Sequence, residues 1–392
     1  MENLFWKRDP YDIQGSDALF MRKLINNALF QFEHCEEYRR LLMMKGFTEE
    51  RLLRLESPEE LPFLPTLYLK RHQMFSVSER RLRVKAASSG TSGNKSVIGF
   101  DLKSLWSGLG MMLALGRRHG LFSFVPSHYV VLGYEYSRHE DMAIMKTAYG
   151  QTWFTPALSR TYALRYTLMD AARLSDRTGD VGNKVQYIPG KNGVYTLGLD
   201  DIRQRLIDLS RQRFPVRILG FPFHAWKLLK GMQEEGIKLA LPKGSLIALG
   251  GGWKQHASEQ VDKKEMYKLV YEVLGIREEN CLEFFGAVEH PVVYFSCPNH
   301  HFHVPVYARV IIRDVETYEP VPNGTAGLVN LVTPILNSMP VLSVVTDDLG
   351  VLHDGARCGC GIQTPYLEIL GRVGVKGITT CAAAAGKMWR DL

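Results

Sequence analysis

Residues 88–96 read SSGTSGNKS, with four serines, one threonine, two glycines, Asn94 and Lys95, and no apolar side chain. Gly90 and Gly93 let the backbone bend until its amides converge on an anion. The hydroxyls of Ser88, Ser89, Thr91 and Ser92 add donors, and Lys95 adds a point charge. A polyanion such as the phosphates of a nucleotide suits this loop, although a solvated surface turn has the same composition. Asn94 stands where a Walker A loop has glycine before its lysine, which disfavours P-loop NTPase chemistry.

The loop lies in a chain of 392 residues, 45% hydrophobic and 23% charged, which is enough apolar material for a large core and excludes a disordered chain. The net charge of +7 suits an anionic small molecule, and no Lys/Arg block is dense enough to point to nucleic acid. The charged start MENLFWKRDPYD lacks the apolar core of a signal peptide. The longest apolar tract, residues 328–345, is broken by Asn330, Pro334, Asn337 and Pro340, so no membrane span is expected. A cytoplasmic protein is the expectation. Cysteines at 35, 281, 297, 358, 360 and 381 are too scattered for a disulfide framework.

Around the loop the pattern is α/β. Residues 1–84 read as a helical N-terminal segment, with Ser16 capping one run through residue 42 and Ser57-Pro58-Glu59-Glu60 forming a capping box. VRILGF, HAWKLLKGMQEEG, SLIALGGG and SEQVDKKEMYKLVYEVLG then read strand, helix, strand, helix, the last with a serine start and a glycine stop. That alternation implies a mostly parallel sheet flanked by helices over residues 85–300. FHVPVYARVIIRD, AGLVNLVTP and VLSVVTDDLG predict a smaller β-rich subdomain over 301–375, followed by a tail at 376–392.

Five stretches in order resemble the adenylate-forming superfamily of acyl- and aryl-CoA ligases, over roughly residues 85 to 375. SSGTSGNKS resembles its phosphate loop. FFGAVEH (284–290) resembles its aromatic-Gly-x-Thr-Glu motif, which implies Phe285 and Gly286 at the adenine and Glu289 as a Mg²⁺ ligand. NGTAGLVNLVTP resembles the turn and strand that follow. TDDLG resembles Thr-Gly-Asp-Leu, implying that Asp348 holds the ribose hydroxyls. LGRVG places Arg372 at the Gly-Arg that closes the nucleotide site. The implied chemistry joins a carboxylate to the α-phosphate of ATP. The family's threonine is replaced by Val288.

Family members continue about a hundred residues beyond Gly-Arg into a mobile domain, whereas this chain ends at Leu392, so that domain is expected to be absent or vestigial. The shortened layout resembles the LuxE-type acyl-protein synthetases, as do the helical start and GGGWK, which adds Gly250, Gly251 and Gly252 to the nucleotide-site candidates. In that group the acyl group moves from AMP to a cysteine near the C-terminus and on to a reductase partner. Cys381, among small residues in ITTCAAAAGKMW, is the matching nucleophile, since small neighbours leave a thiol sterically open. A small apolar residue in a terminal helix is the alternative reading.

Cys358 and Cys360 resemble the Cys-x-Cys-Gly of phenylacetate–CoA ligase-like members, some of which bind structural zinc. Cys297 and His256 would complete a Cys₃His set, with His300, His301 and His303 as competing ligands. Trp106, Met111, Met112 and Leu115 read as core rather than acyl pocket, and GKNG at 190–193 as a turn in which Lys191 could meet a partner. The expected function is ATP- and Mg²⁺-dependent activation of a fatty or related carboxylic acid, then transfer to a cysteine thiol, with an acyl-CoA reductase-type or acyl-carrier partner. A phenylacetate-type CoA ligase and a non-catalytic adenylate-binding scaffold are the alternatives.

Overall fold

The computed structural model describes residues 3–13, 15–88, 95–168, 187–189, 193–253 and 259–372. Chain contacts gather these into two units, one made of residues 1–119 with 286–392 and the other of 120–285.

The first unit opens on helices α1 (Ser16–His34), α2 (Glu36–Met44), α3 (Glu49–Leu53) and α4 (Thr66–Arg71), with strand β1 (Leu64–Pro65) before α4. The single run expected from residue 16 is broken at Cys35, whose extended backbone ends α1 and caps α2. Ser16 is the first helical residue rather than the cap, because its hydroxyl donates to the Ile13 carbonyl at 2.9 Å. The capping box at Ser57 and Glu60 is present, on a single 3₁₀ turn. Strands β2 (Val84–Ala87) and β3 (Val97–Phe100) form an antiparallel ribbon, and α5 (Leu102–Arg118) follows, capped by Asp101, which accepts from the Ser104 amide at 2.9 Å. Met111 and Leu115 are buried on α5 as expected of core, whereas Trp106 is exposed and lies against Trp6.

The second unit contains β4 (Ser127–Tyr134), α6 (Ala143–Gln151), β5 (Ala157–Leu168), β6 (Tyr187–Pro189), β7 (Gly193–Leu197), α7 (Leu199–Ser210), β8 (Val216–Gly220), α8 (Pro222–Glu234), β9 (Leu246–Gly250), α9 (Lys263–Leu274) and β10 (Cys281–Ala287). The strand order is β10-β9-β8-β4-β5-β7-β6, parallel from β10 through β5 and antiparallel beyond. Short apolar runs such as ILG and LIAL occupy its centre because strands covered on both faces need no polar alternation. Leu206 and Leu209 of α7, Leu229 and Met232 of α8, and Val270 and Val273 of α9 pack with Val130, Ile218 and Ile247 of the sheet in one buried core. Asp262, not a serine, caps α9, and Gly275 ends it in the left-handed conformation.

Back in the first unit, β11 (His290–Phe295), β12 (Phe302–His303), β13 (Arg309–Arg313), β14 (Ala326–Val332), β15 (Ser343–His353) and β16 (Tyr366–Arg372) complete the chain. The sheet runs β12-β16-β15-β14-β13, antiparallel throughout, with β1 added parallel to β15. No helix among the described residues is long and apolar enough to cross a membrane.

Candidate active site and metal centre

The phosphate-loop candidate begins and ends on the ribbon of β2 and β3. Ser88 and Ser96 close its neck, the Ser88 amide donating to the Ser96 carbonyl at 2.9 Å and the Ser96 amide to Ser88 Oγ at 3.0 Å. Lys95 is exposed at the exit of the loop. Ser89, Gly90, Thr91, Ser92 and Gly93 lie outside the described residues, as do Lys191, His256 and Cys381.

In the same unit the sheet assembles a charged group. Asp348 of β15 and Arg372 of β16 are cross-strand partners, and the Arg372 Nε donates to Asp348 Oδ1 at 3.0 Å. Asp348 is buried by β15 while Arg372 is more than half exposed. Partial desolvation pulls the Arg372 guanidinium down, but the carboxylates of Asp348, Asp347 and Glu289 outweigh it and raise its pKa. Glu289 sits buried in the turn between β10 and β11. Lys70 of α4, which sequence reasoning missed, reaches Asp347 at 3.8 Å. It could have been sought as the cation that an Asp347-Asp348 pair needs. Two adjacent carboxylates facing one guanidinium and one ammonium form a site that can pair with hydroxyl donors while keeping anions nearby compensated.

In the second unit Gly250 ends β9 and Gly251 follows it, and β10 runs beside β9 with Phe284 opposite Gly250. A side chain at Gly250 would run into the Phe284 ring, so only glycine lets that ring cross the end of β9. Gly251 has φ of +83°, a left-handed turn that other residues adopt at a cost. Gly252 follows and Phe285 is half-buried one residue beyond Phe284.

The third cluster is the Cys/His centre of the first unit. Gly355–Cys358 forms a 3₁₀ turn, Gly359 turns the chain left-handed, and Cys358 and Cys360 thereby face Cys297, which follows β11, and His303 on β12. The four ligand atoms lie within 4.8 Å of one another. Cys297 Sγ is 3.5 Å from Cys358 Sγ, and Cys360 Sγ is 3.3 Å from His303 Nε2. A zinc tetrahedron with bonds of about 2.3 Å has ligand edges of roughly 3.8 Å, so the spacing fits. The His303 Nδ1–H donates to the Thr364 carbonyl at 2.6 Å, which leaves the Nε2 lone pair toward the thiols. His301 Nδ1 stands 3.1 Å from Cys358 Sγ as an outer partner. Burial raises the Cys297 thiol, and it pushes Cys358 up to about 12 with help from hydrogen bonds to Cys360 and Cys297. Three soft donors and one imidazole are the zinc set, and they need a cation to become thiolates. Among the described residues the histidine grouped with the three thiols is His303, one of the competing ligands, and its signal was the Cys297–His303 stretch itself, CPNHHFH.

Known proteins with this arrangement of elements include acyl-activating enzymes. The family described as "Acyl-protein synthetase, LuxE" matches residues 197–389. A long-chain-fatty-acid–luciferin-component ligase of Vibrio harveyi is 23% identical over 95% of this chain and 88% of its own length. A phenylacetate–coenzyme A ligase of Thermus thermophilus is 25% identical over 88% of this chain and 67% of its own. Among solved structures, an open conformation of 2-hydroxyisobutyryl-CoA ligase with 2-HIB-AMP and CoA shares the fold, with a TM-score of 0.62 at 16% identity over 95% of this chain and 79% of that one. The chain shares the fold of adenylate-forming enzymes. Within it, the resemblance runs to the LuxE-type acyl-protein synthetases and the phenylacetate–CoA ligases.

Proposed function

We propose that the chain activates a fatty or related carboxylic acid and passes the acyl group to the thiol of Cys381. A carboxylate oxygen of the acid attacks the α-phosphorus of ATP, and the bond to the bridging oxygen breaks with release of pyrophosphate. The Cys381 thiolate then attacks the acyl carbonyl carbon, and AMP leaves with the electron pair. The first step needs positioned phosphates and compensated charge more than covalent help. In this reading Ser88 to Gly93 cradle the phosphates and Lys95 neutralises the charge on them. Asp348 accepts the ribose hydroxyls, Arg372 closes the site, Phe285 with Gly286 and Gly250 to Gly252 borders the adenine, and Glu289 would hold Mg²⁺, which supplies charge neutralisation when bound. Cys297, His303, Cys358 and Cys360 would hold a structural zinc ion that ties β12 to the Gly355–Cys360 turn.

What supports the reading most is the pairing of Asp348 with Arg372 near Glu289, three motif residues distant in sequence that share one electrostatic group. The match to the LuxE family extends past Cys381, which favours a protein thiol as the acceptor. The carrier or acyl-CoA reductase-type partner that takes the group onward, and a cytoplasmic setting, belong to the same proposal. The Thermus relative and the 2-hydroxyisobutyryl-CoA ligase fold favour a second reading in which coenzyme A accepts the acyl group directly.

Acid-dependent exchange of pyrophosphate into ATP, screened over carboxylic acids, tests the first step; no exchange with any acid would leave only an adenylate-binding scaffold. Intact-protein mass spectrometry tests the second. A hydroxylamine-sensitive acyl adduct that is lost in Cys381→Ser, with exchange retained, is expected; turnover that needs coenzyme A and leaves no adduct would replace this proposal with the ligase.

A further inference from the structure

The parallel strands of the second unit begin level with one another: Ser127 pairs with Ala157, His128 with Val216, and Arg217 with Leu246. Gly250 to Gly252 and Phe285 lie toward the opposite, C-terminal ends of β9 and β10. The edge where the strands begin therefore takes no part in the nucleotide motifs, yet it is apolar. Phe124 is 99% exposed, Trp153 68%, Val125 50% and Phe122 37%. A monomer rarely leaves such a group of large side chains in water without use.

The loops that carry them are tied together. The Ser123 amide donates to the Phe154 carbonyl at 3.2 Å, and the Phe122 and Phe154 rings meet edge-on at 4.8 Å. Arg217, itself buried, donates from its guanidinium to the Leu121 carbonyl at 2.6 Å and so fixes the base of the Phe124 loop against β8. The loop before β8 adds exposed Arg211 and Arg213, the latter stacked on Phe214 at 4.7 Å, and the loop before β9 adds exposed Lys243, next to Gly244, which lies against Pro215. None of these three cations has an ion-pair partner among the described residues. The segments LFSFVPS (121–127), TWFTP (152–156), RQRFP (211–215) and LPKGS (241–245) contain no Asp or Glu. The nearest acidic residues are on the helices that lead toward these loops, Asp208 in the last turn of α7 and Glu234 and Glu235 at the end of α8, with Glu278 and Glu279 before β10.

From this we infer that the strand-start edge of the second unit docks on an anionic lipid bilayer, with Phe124 and Trp153 entering the interface and Arg211, Arg213 and Lys243 facing the headgroups. Loops without acidic residues that carry a fully exposed aromatic and three exposed cations match the chemistry of a headgroup layer, where apolar tips enter and cations pair with phosphates. The chain's net charge of +7 favours approach to such a surface. The inference is independent of which acid is activated and of which thiol accepts it.

Sedimentation of the full-length chain with sucrose-loaded vesicles tests it, using phosphatidylcholine alone and phosphatidylcholine mixed with phosphatidylglycerol. Binding to the mixed vesicles, weaker binding to phosphatidylcholine and release by salt are expected. Phe124→Ser and the double variant Arg211→Glu/Arg213→Glu should each weaken it by about tenfold or more, with unfolding midpoints and pyrophosphate exchange unchanged. Absence of binding to both vesicle types, or equal binding by the variants, would overturn the inference. So would light scattering that shows a dimer dissociated by Phe124→Ser, since the patch would then be covered by a second copy of the chain.

Discussion

Replacing Gly355 by alanine is a severe test of the Cys/His centre, because the substitution adds one methyl group and touches no ligand. Gly355 is buried at the start of the turn that delivers Cys358. A Cβ there would stand 2.5 Å from the Gln363 carbonyl carbon and closer still to the Gln363 and Thr364 carbonyl oxygens. Ordinary contact between such atoms is about 3.5 Å, so the backbone at 363–364 must retreat by roughly 1 Å. Backbone in a closed turn has no rotamer to escape into, and overpacking of this kind costs about 1–3 kcal/mol. The Thr364 carbonyl is the acceptor that orients His303, at 2.6 Å. A retreat of that size carries this bond past the hydrogen-bonding limit, and losing such an outer partner lowers metal affinity by about 10–100-fold. Elemental analysis and competition with a chromophoric chelator read the affinity, and urea unfolding reads the stability. Gly231→Ala, where the methyl group meets nothing within 4 Å, serves as the control. Wild-type zinc affinity and midpoint in Gly355→Ala would refute the argument, and a metal-free wild type indifferent to chelators would remove zinc altogether.

Two further outcomes follow from the first unit. Burial holds the His119 imidazole at about 4, with Arg118 adding to the effect, and holds His290 at about 3. The unfolded chain takes up protons below about pH 6.5 that the folded chain refuses, so the stability is full above that pH and is lost as the pH falls toward 4. With two such groups the loss approaches about 2–3 kcal/mol per pH unit, measured as urea midpoints from neutral to mildly acidic pH. His290→Asn should halve the slope, and an unchanged slope would contradict the assignment. Arg372→Gln should raise the KM for ATP in pyrophosphate exchange by about tenfold through loss of a charge-assisted bond to Asp348. It should change stability by less than about 1 kcal/mol, because the guanidinium is more than half exposed. The reverse pattern, lost stability with KM intact, would make the pair a structural strut.

The elements with strong periodicity were legible in the sequence. VRILG, LIALG and the α9 run stand where alternation and length placed them, because short apolar strands and amphipathic helices are local properties. The break at Cys35 was not legible, since neither proline nor glycine marks it and the kink serves packing elsewhere. The cap of α9 moved from serine to Asp262, both good caps, and no local signal chose between them. At the Cys/His cluster the three thiols were legible as a set, while the place of His303 beside them depends on how the β12–β16 pairing turns it, a matter of tertiary register. Trp106 fits the helical spacing of a core residue, yet it stands exposed beside Trp6, since spacing gives a face and not what covers it.

The side chains of Asn27 and Gln31 on α1 donate to the carbonyls of Pro334, Leu336 and Asn337, and Ser76 in turn donates to Gln31. The bonds from Asn27 and Gln31 join residues about three hundred positions apart, so α1 gains these partners only once residues 334–337 have been synthesised, long after α1 itself. Phe20 likewise waits for Arg309, whose guanidinium lies over its ring at 4.1 Å. Contacts of such long sequence separation slow folding and leave apolar surface open to aggregation in the interval.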